Sequence, residues 1–515
     1  MMFPERSKMI LLTAGEARSF EALARERLAV PERTLIARAG LAAAALLESR
    51  CGPFAGKRIA VFCGKGNNAA DGLVLARHAA QQGAAVAAVL AFPETAMAPE
   101  ALWALREARL SGVSVGSESA AEAALTGVDV AVDALVGTGA RLPLAGSLEA
   151  LVKALEAFPG RVLALDLPSG LDPDTGAARG ACVRATWTLS FLSAKLGLAL
   201  GAGPTRCGEI QVADLGADAA WACATASLFD LDAARRTFAP RPRDYHKKKA
   251  ELLVIAGSKD YLGAALLCAR GAYRCGAGMV RLVLPAALVP FAQTALPEAV
   301  FTGFPVEEAL GVGQLQALLD LAGSCQAAVV GPGLGRRPET AELVRELWAR
   351  LPRPAVFDAD ALHALSLGAR PGAERILTPH EGEFIGLMGP GALEAGRVHG
   401  ARSLAAAASA VALLKGPSTL VATPDGLLSV NVGGSPVLAT AGSGDVLSGA
   451  IGALLAQGME PFHAAALGAW AHGRAGDAWA RGHGDRGLLA SDLAEGFPAA
   501  LAEALPLSPV NQNFS

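Results

Sequence analysis

Short apolar runs rich in β-branched residues alternate with longer Ala/Leu stretches of helical period, and this alternation occurs twice along the chain. A strand covered on both faces reads as a continuous apolar run, so such runs separated by helix-length segments point to parallel strands sheathed by helices. In the first half the expected strands are residues 58–63, 84–92, 129–135 and 161–166, with a helix over 71–82. In the second half they are 251–256, 280–284, 327–330, 355–358 and 420–422, with helices between them. A chain of 515 residues exceeds what one core supports. The segment RRTFAPRPRD at 235–244 interrupts the rhythm with two prolines, which places one α/β domain over 1–225 and a second over 235–505.

Composition narrows the function classes. Apolar residues make up 52% of the chain and charged residues 18%, enough for large cores. A net charge of -3 supplies no cationic footprint for nucleic acid, and the basic run Lys247-Lys248-Lys249 is short. The 8 cysteines contain no C-x-x-C pair, which argues against a zinc ribbon or dithiol motif and fits a reducing cytoplasm. The opening segment MMFPERSKMILLTAGEARS has too short an apolar stretch for a secretion signal. No uncharged apolar run reaches the roughly 18 residues of a membrane span; residues 403–414 come closest and read as a buried helix. The Ala-rich helices permit a homo-oligomer without marking an interface.

Polar residues gather where strands end. VFCGKGNNAADGLVLAR at 61–77 reads as strand, Gly-rich turn and helix, and places Asn67, Asn68 and Asp71 in one turn. Its G-x-G-x-x-A spacing is not a dinucleotide fingerprint, because the next strand carries no acid for a ribose. VDALVGTG sets Asp133 before a Gly137-Thr138-Gly139 loop, and ALDLPSGLD sets Asp166 and Ser169 at another strand end. Each alone reads better as a helix or turn cap. Three such turns at the carboxyl ends of parallel strands converge on one cleft.

In the second half, ATAGSGDVLSG at 439–449 opens a helix with small residues. Free N–H groups at such a terminus, including those around Gly442 and Gly444, suit a transferring phosphoryl group, and Asp445 beside them suits a general base. The alternative is an Asp cap on a Gly-rich loop. His380 in LTPHEGEF either contacts a ligand or caps the next helix, and Asp358 and Asp360 in FDADAL either help hold magnesium or form a strand-end turn. There is no G-x-x-x-x-G-K-[ST] string, so a nucleotide here is not held by a P-loop.

These motifs carry a family resemblance. Residues 12–216, with the Asn67-Asn68 turn, DALVGTG, LDLPSGLDPDTG and IQVADLG, resemble the NAD(P)H-hydrate epimerase domain. Residues 245–493, with VVGPGLG, FDADAL, LTPHEGEF, LLKGPSTLVATPDG, ATAGSGDVLSG, AHGRAGDAWA and GLLASDL, resemble the ADP-dependent NAD(P)H-hydrate dehydratase of the ribokinase-like superfamily. The resemblance implies two three-layer αβα domains, Rossmann-like then ribokinase-like, that epimerise R- and S-NAD(P)HX and dehydrate the S form, releasing AMP and phosphate from ADP. It implies that Asn67, Asn68, Asp71, Gly137, Thr138 and Gly139 touch the hydrated cofactor, that Asn68, Asp133 and Ser169 hold K+, and that Asp166 handles the proton. In the second domain it implies Ala264, Gly333, Gly335, His380 and Asp445 at the hydrated nicotinamide. Lys415, Gly416, Thr419 and Gly444 would then meet the nucleotide, which travels with Mg2+. The epimerase family's paired glycines are Ala69-Ala70 here, which puts two methyl groups where the backbone would approach a ligand or need positive φ. An alternative reading makes the second half an ATP-dependent kinase of a small alcohol and the first a non-catalytic binding domain; it leaves the fusion of two hydrate-related halves unexplained.

Overall fold

The computed structural model describes residues 9–505. Of the opening segment that bears on a secretion signal, residues 1–8 lie outside the described residues. The chain forms two compact units that divide between Ala226 and Ser227. Residues 235–244 lie inside the second unit, where Leu231–Thr237 is helical.

In the first unit the strands are β1 (Ile10–Leu12), β2 (Arg58–Cys63), β3 (Ala85–Leu90), β4 (Ser114–Ser117), β5 (Val130–Ala134), β6 (Arg161–Leu165), β7 (Trp187–Phe191), β8 (Ala194–Lys195) and β9 (Glu209–Ala213). Seven of them form a sheet in the order β4-β3-β2-β5-β6-β7-β9, every pair parallel. Ile59, Val61 and Cys63 of β2 pack with the helices Glu32–Cys51, Asn67–Gln81 and Pro99–Leu110. Ala60 and Phe62 face the opposite way, onto the helix Ser147–Ala157. This alternation makes three layers. The strand order reverses direction between β2 and β5, the place where an open parallel sheet leaves a crevice for a ligand.

The short strand β10 (Ala226–Leu228) lies at the division. The second unit has β11 (Glu251–Ile255), β12 (Met279–Pro285), β13 (Val300–Phe304), β14 (Ala327–Val330), β15 (Ala355–Phe357), β16 (Arg375–Leu377), β17 (Val411–Leu414), β18 (Thr419–Ala422) and β19 (Leu428–Asn431). Their order is β13-β12-β11-β14-β15-β16-β17-β18-β19, parallel as far as β17 and antiparallel beyond it. Leu252 and Val254 belong to one core with the helices Leu262–Arg274, Ser443–Ala456, Pro461–His483 and Ala490–Ala504. Leu253 and Ile255 are equally buried on the reverse face. The switch in strand order falls between β11 and β14.

Three sequence expectations change. The stretch 403–414 is not one helix: the helix Arg397–Ala408 stops at Ser409, whose φ of 50° is left-handed, and Val411 begins β17. The helix expected from residue 71 starts at Asn67, so Asn67 and Asn68 form its first turn. Ala69 and Ala70 are helical and fully buried against the sheet, so their methyl groups fill core rather than a ligand site. Among the described residues no helix is long and apolar enough to cross a membrane, and all 8 cysteines are free.

The helix that carries Asp445 is seated by backbone contact. A Cβ at Gly449 would lie 1.8 Å from the Cys268 carbonyl oxygen, and one at Gly271 would lie 2.3 Å from that of Val446. Glycine is thus required by space where Leu262–Arg274 and Ser443–Ala456 cross. Gly449→Ala is expected to destabilise the second unit by about 1–3 kcal/mol through overpacking, despite alanine's helix advantage of about 1 kcal/mol. Gly482→Ala, with nothing within 4 Å of the new methyl, is expected to stabilise slightly. Denaturant midpoints of the two variants against the parent check the contrast, and a Gly449→Ala midpoint at or above the parent contradicts it.

Candidate active sites

The first site is a cleft of about 720 Å³ over the carboxyl ends of β2, β5 and β6, and it includes Lys195 of β8. Gly66, Asn67, Asn68 and Asp71 line it from the helix start, Gly137, Thr138 and Gly139 from the loop after β5, and Asp166 from the end of β6. The loops meet closely: a Cβ at Gly64 would fall 1.8 Å from the Leu135 carbonyl oxygen. Asn67 Nδ2 donates to Glu32 Oε1 at 2.8 Å, tying two lining helices together.

Charge in the cleft is organised around Lys195, a residue that sequence reasoning missed. Its side chain is 4% exposed and its ammonium pairs with Asp166. It also donates to Ser190 Oγ at 3.1 Å and to the carbonyls of Phe191 and Ser193 at 3.0 and 3.2 Å. The only sequence signal was a lone base in the apolar run SFLSAKLGLAL. Asp166 sits at φ 67°, a left-handed conformation that costs a non-glycine residue about 1–3 kcal/mol and is concentrated at functional positions. Two further carboxyl groups line the same space. Burial, and then the charges of Asp166 and Glu21, hold Asp71 well above the usual carboxylate range. Burial and then Asp166 also raise Glu21, which the sequence gave no reason to select.

Asp133 and Ser169 do not line the cleft; both are fully buried beneath it. Ser169 donates to Asp133 through Oγ at 2.7 Å and through its backbone N–H at 2.8 Å, while the Leu135 N–H adds a bond at 3.2 Å. Burial nevertheless pushes Asp133 up to about 6, against these hydrogen bonds. Asn68 is 8% exposed, and both polar atoms of its amide are buried without a hydrogen-bond partner. A buried amide lacking partners is costly, and its oxygen suits a hard cation. The Asn68 oxygen is thus open to a cation, while both Asp133 oxygens and Ser169 Oγ are engaged with each other and with Leu135. Among the described residues no group of three His, Cys, Asp or Glu is placed to hold a metal.

The second site lies at the carboxyl ends of β14, β15, β16 and β17, facing the start of the helix Ser443–Ala456. Gly442, at φ 86°, turns the chain into the helix and leaves Asp445 in its first turn. A Cβ at Gly442 would be 3.9 Å from Asp445 Oδ2, and one at Gly444 would be 3.4 Å from Lys415 Nζ. The cradle, the acid and the lysine therefore meet. Burial, and then the negative charge of Asp358, raise Asp445 to about 7, while Lys415 pulls the other way. Lys415 is depressed by its own burial, but Asp358 at 3.1 Å and Glu383 at 3.7 Å more than reverse this and raise it. His472, half-buried and pushed down to about 4 by desolvation, is neutral; its Nε2 lies 3.1 Å from the Ser443 carbonyl, which it reaches as a donor.

Other expected residues take defined places. Gly333, at φ 63°, packs against Ala264, where its Cβ would come within 3.0 Å, and its carbonyl accepts from Ser258 Oγ at 2.8 Å. Gly335 donates its N–H to Asp360 Oδ2 at 3.0 Å, and Asp360 Oδ1 accepts from Arg336 at 2.9 Å. His380 caps the helix Glu381–Met388, its Nδ1 accepting from the N–H groups of Gly382 and Glu383 at 3.0 and 3.2 Å. Its ring remains 59% exposed. Asp358 and Asp360 each have both oxygens engaged, so the pair considered for magnesium does not form a free cage. Arg397, also missed, braces the loop holding Lys415, Gly416 and Thr419 by donating to the carbonyls of Ser418 and Lys415 at 2.8 and 3.0 Å. Thr419 Oγ1 closes that loop onto the Gly416 carbonyl at 3.3 Å.

Known proteins resemble both halves of the chain. A family model described as NAD(P)H-hydrate dehydratase matches residues 252–499, and one described as YjeF-related protein N-terminus matches residues 32–197. A bifunctional NAD(P)H-hydrate repair enzyme of Moorella thermoacetica is 37% identical over 520 residues, spanning 96% of this chain and 97% of the relative. Its Escherichia coli namesake is 35% identical over 440 residues, spanning 84% and 83%. The crystal structure of an ADP/ATP-dependent NAD(P)H-hydrate dehydratase from Bacillus subtilis, co-crystallised with ATP/Mg2+, is 29% identical with a TM-score of 0.48, covering 54% of this chain and 98% of its own. With near-complete coverage of relatives that carry both halves in the same order, the chain belongs to the family of bifunctional NAD(P)H-hydrate repair enzymes.

Proposed function

We propose that the first unit interconverts the R and S epimers of hydrated NADH and NADPH in the Asp166–Lys195 cleft, and that the second dehydrates the S epimer at Asp445 using ADP. The observation that carries this reading is the meeting of Asp445, the Gly442–Gly444 main chain and Lys415 at one helix terminus. The hydrate bears a hydroxyl at ring carbon six. Asp445 accepts its proton as the oxygen attacks the terminal phosphoryl of ADP, and AMP leaves. The carbon–oxygen bond then breaks with phosphate departing, a far better leaving group than hydroxide, and loss of the neighbouring ring proton restores the dihydropyridine. Backbone N–H groups of the cradle and the Lys415 ammonium steady the migrating negative charge. Ala264, Gly333, Gly335 and His380 border the nicotinamide, and Lys415, Gly416, Thr419 and Gly444 the nucleotide. Magnesium, when bound with the nucleotide, would offset charge on its phosphates.

In the first unit Asn67, Asn68, Asp71 and the Gly137-Thr138-Gly139 loop contact the hydrated cofactor. Asn68, Asp133 and Ser169 would hold K+, which would supply positive charge near the cofactor's diphosphate. Asp166, fixed by Lys195, handles the proton at the hydrated carbon.

A carboxylate base works only when ionised, so kcat/KM for dehydration should rise with pH up to about 7, where Asp445 titrates, and level off above it. Asp445→Asn is expected to lower nucleotide-dependent regeneration of NAD(P)H by roughly 10²–10⁴-fold while epimer exchange persists. Following each epimer separately, with ADP and with ATP, checks both points and identifies the donor. Equal loss of both activities contradicts two sites, and a stable phosphorylated product without NAD(P)H favours a simple kinase. Lys195→Met should suppress epimer exchange and destabilise the first unit by about 1–3 kcal/mol, because it leaves the half-buried Asp166 carboxylate without its ammonium partner; chemical denaturation and epimer-resolved chromatography read the two effects.

A further inference from the structure

We propose that Asp358 is a positioning residue of the second site: its two carboxylate oxygens set the separation between the Lys415 ammonium and the main-chain cradle of the facing helix. The proposal rests on the dehydratase reading of that site.

The geometry that carries it is a bridge between elements far apart in sequence. Asp358 leaves the end of β15 and is 1% exposed. Its Oδ1 accepts from Lys415 Nζ at 3.1 Å, just after β17. Its Oδ2 accepts from Ser448 Oγ, and that oxygen also lies 3.0 Å from the Gly444 carbonyl. A Cβ at Gly444 would come within 4.0 Å of Asp358 Oδ2 as well as 3.4 Å of Lys415 Nζ. One buried carboxylate therefore touches the lysine on one side and the second turn of the cradle helix on the other.

Physical chemistry makes such a bridge necessary. A lysine ammonium rides on a flexible four-carbon stem, so its place beside a phosphoryl group must be imposed by a partner. Lys415 has two, Asp358 and Glu383, but Glu383 also accepts from the His380 N–H at 2.8 Å and belongs to the preceding helix cap. Asp358 alone reaches the cradle helix through Ser448. Burying a carboxylate is expensive unless it is paired and hydrogen-bonded, and here both conditions are met by residues of the phosphoryl site. A role as magnesium ligand fits poorly, because the lysine and the serine already occupy its oxygens. Asp358 also faces Asp445 electrostatically, together with Lys415, Asp360 and Glu383, while the neutral His472 backs the helix start. Removing its charge without removing its hydrogen bonds thus has a consequence that a merely structural residue would not have.

Three variants of the full chain separate these roles. Asp358→Asn keeps both contacts, its oxygen accepting from Lys415 and its amide donating to Ser448, but removes the charge. It is expected to hold the KM for ADP with magnesium within about twofold of the parent and to move the acidic limb of kcat/KM to lower pH. Asp358→Ala frees Lys415 and should raise that KM about tenfold or more, the scale of a lost charged hydrogen bond. Ser448→Ala keeps the lysine tether but loosens the helix, and should lower kcat with little change in KM. The proposal is overturned if all three lose activity only in proportion to lost folded protein, measured by near-ultraviolet circular dichroism and Tm, with an unmoved pH limb and unchanged KM. If Asp358→Ala does not fold, the pH limb of Asp358→Asn and the kcat of Ser448→Ala decide the matter. Failure of the dehydratase reading is visible separately, as absence of NAD(P)H regeneration by the parent protein with any nucleotide.

Discussion

Parallel pairing is the constraint on which both halves depend. Strands that run the same way bring all their carboxyl ends to one edge of the sheet, and helices covering both faces leave that edge as the place where polar loops can gather. In the first unit this collects the loops after β2, β5 and β6; in the second it collects those after β14, β15, β16 and β17. Much of the interior is apolar, with residues such as Val61 and Leu253 wholly buried. Chemistry is thereby confined to strand ends, and each unit has one such edge.

The two edges use the same electrostatic arrangement. Each contains a lysine paired to an aspartate that leaves a parallel strand: buried Lys195 with Asp166, and half-buried Lys415 with Asp358. Each pair stands beside further carboxyl groups whose proton affinity rises through burial and like charge, Asp71 and Glu21 in one case and Asp445 in the other. The lysine prevents a cluster of carboxylates from neutralising itself entirely, while the leftover repulsion keeps one acid near the point where it can exchange a proton. The pairs differ in role. Asp166 lines its cleft and faces the ligand space, whereas Asp358 is withdrawn beneath the cradle and acts on the groups around it.

Close backbone contact supplies the rigidity these arrangements require. Gly64 lets the loop after β2 rest on Leu135, and Gly449 with Gly271 lets two helices touch along their main chains. Main-chain contacts cannot relax as a side chain can, so the helix terminus bearing Asp445 is held at a fixed distance from the sheet. The many small residues of the chain are thus partly a packing requirement of its functional edges.

Local sequence determined the α/β class, the strands β2, β11 and β14, the Gly442–Asp445 turn and the loop Gly137–Gly139, because periodicity and small-residue turns are properties of neighbouring residues. It also carried the family, through motifs whose order along the chain is itself local information. It misread residues 403–414, where composition is helical throughout but a left-handed Ser409 divides helix from strand. It placed Ala69 and Ala70 at a ligand surface because a linear string does not say which face of a helix meets the sheet. Lys195, Glu21, Arg397 and Ser448 were invisible for the same reason: each acquires its role from a partner distant in sequence, such as Asp166, the cleft, the Lys415 loop or Asp358. Residues proposed to act at reacting groups, such as Asp166 and Asp445, thus stand in motifs that are read from neighbouring residues alone. Which charges stand together, and hence which acids hold their protons, was decided only when the folded sheets brought distant strand ends within hydrogen-bonding reach.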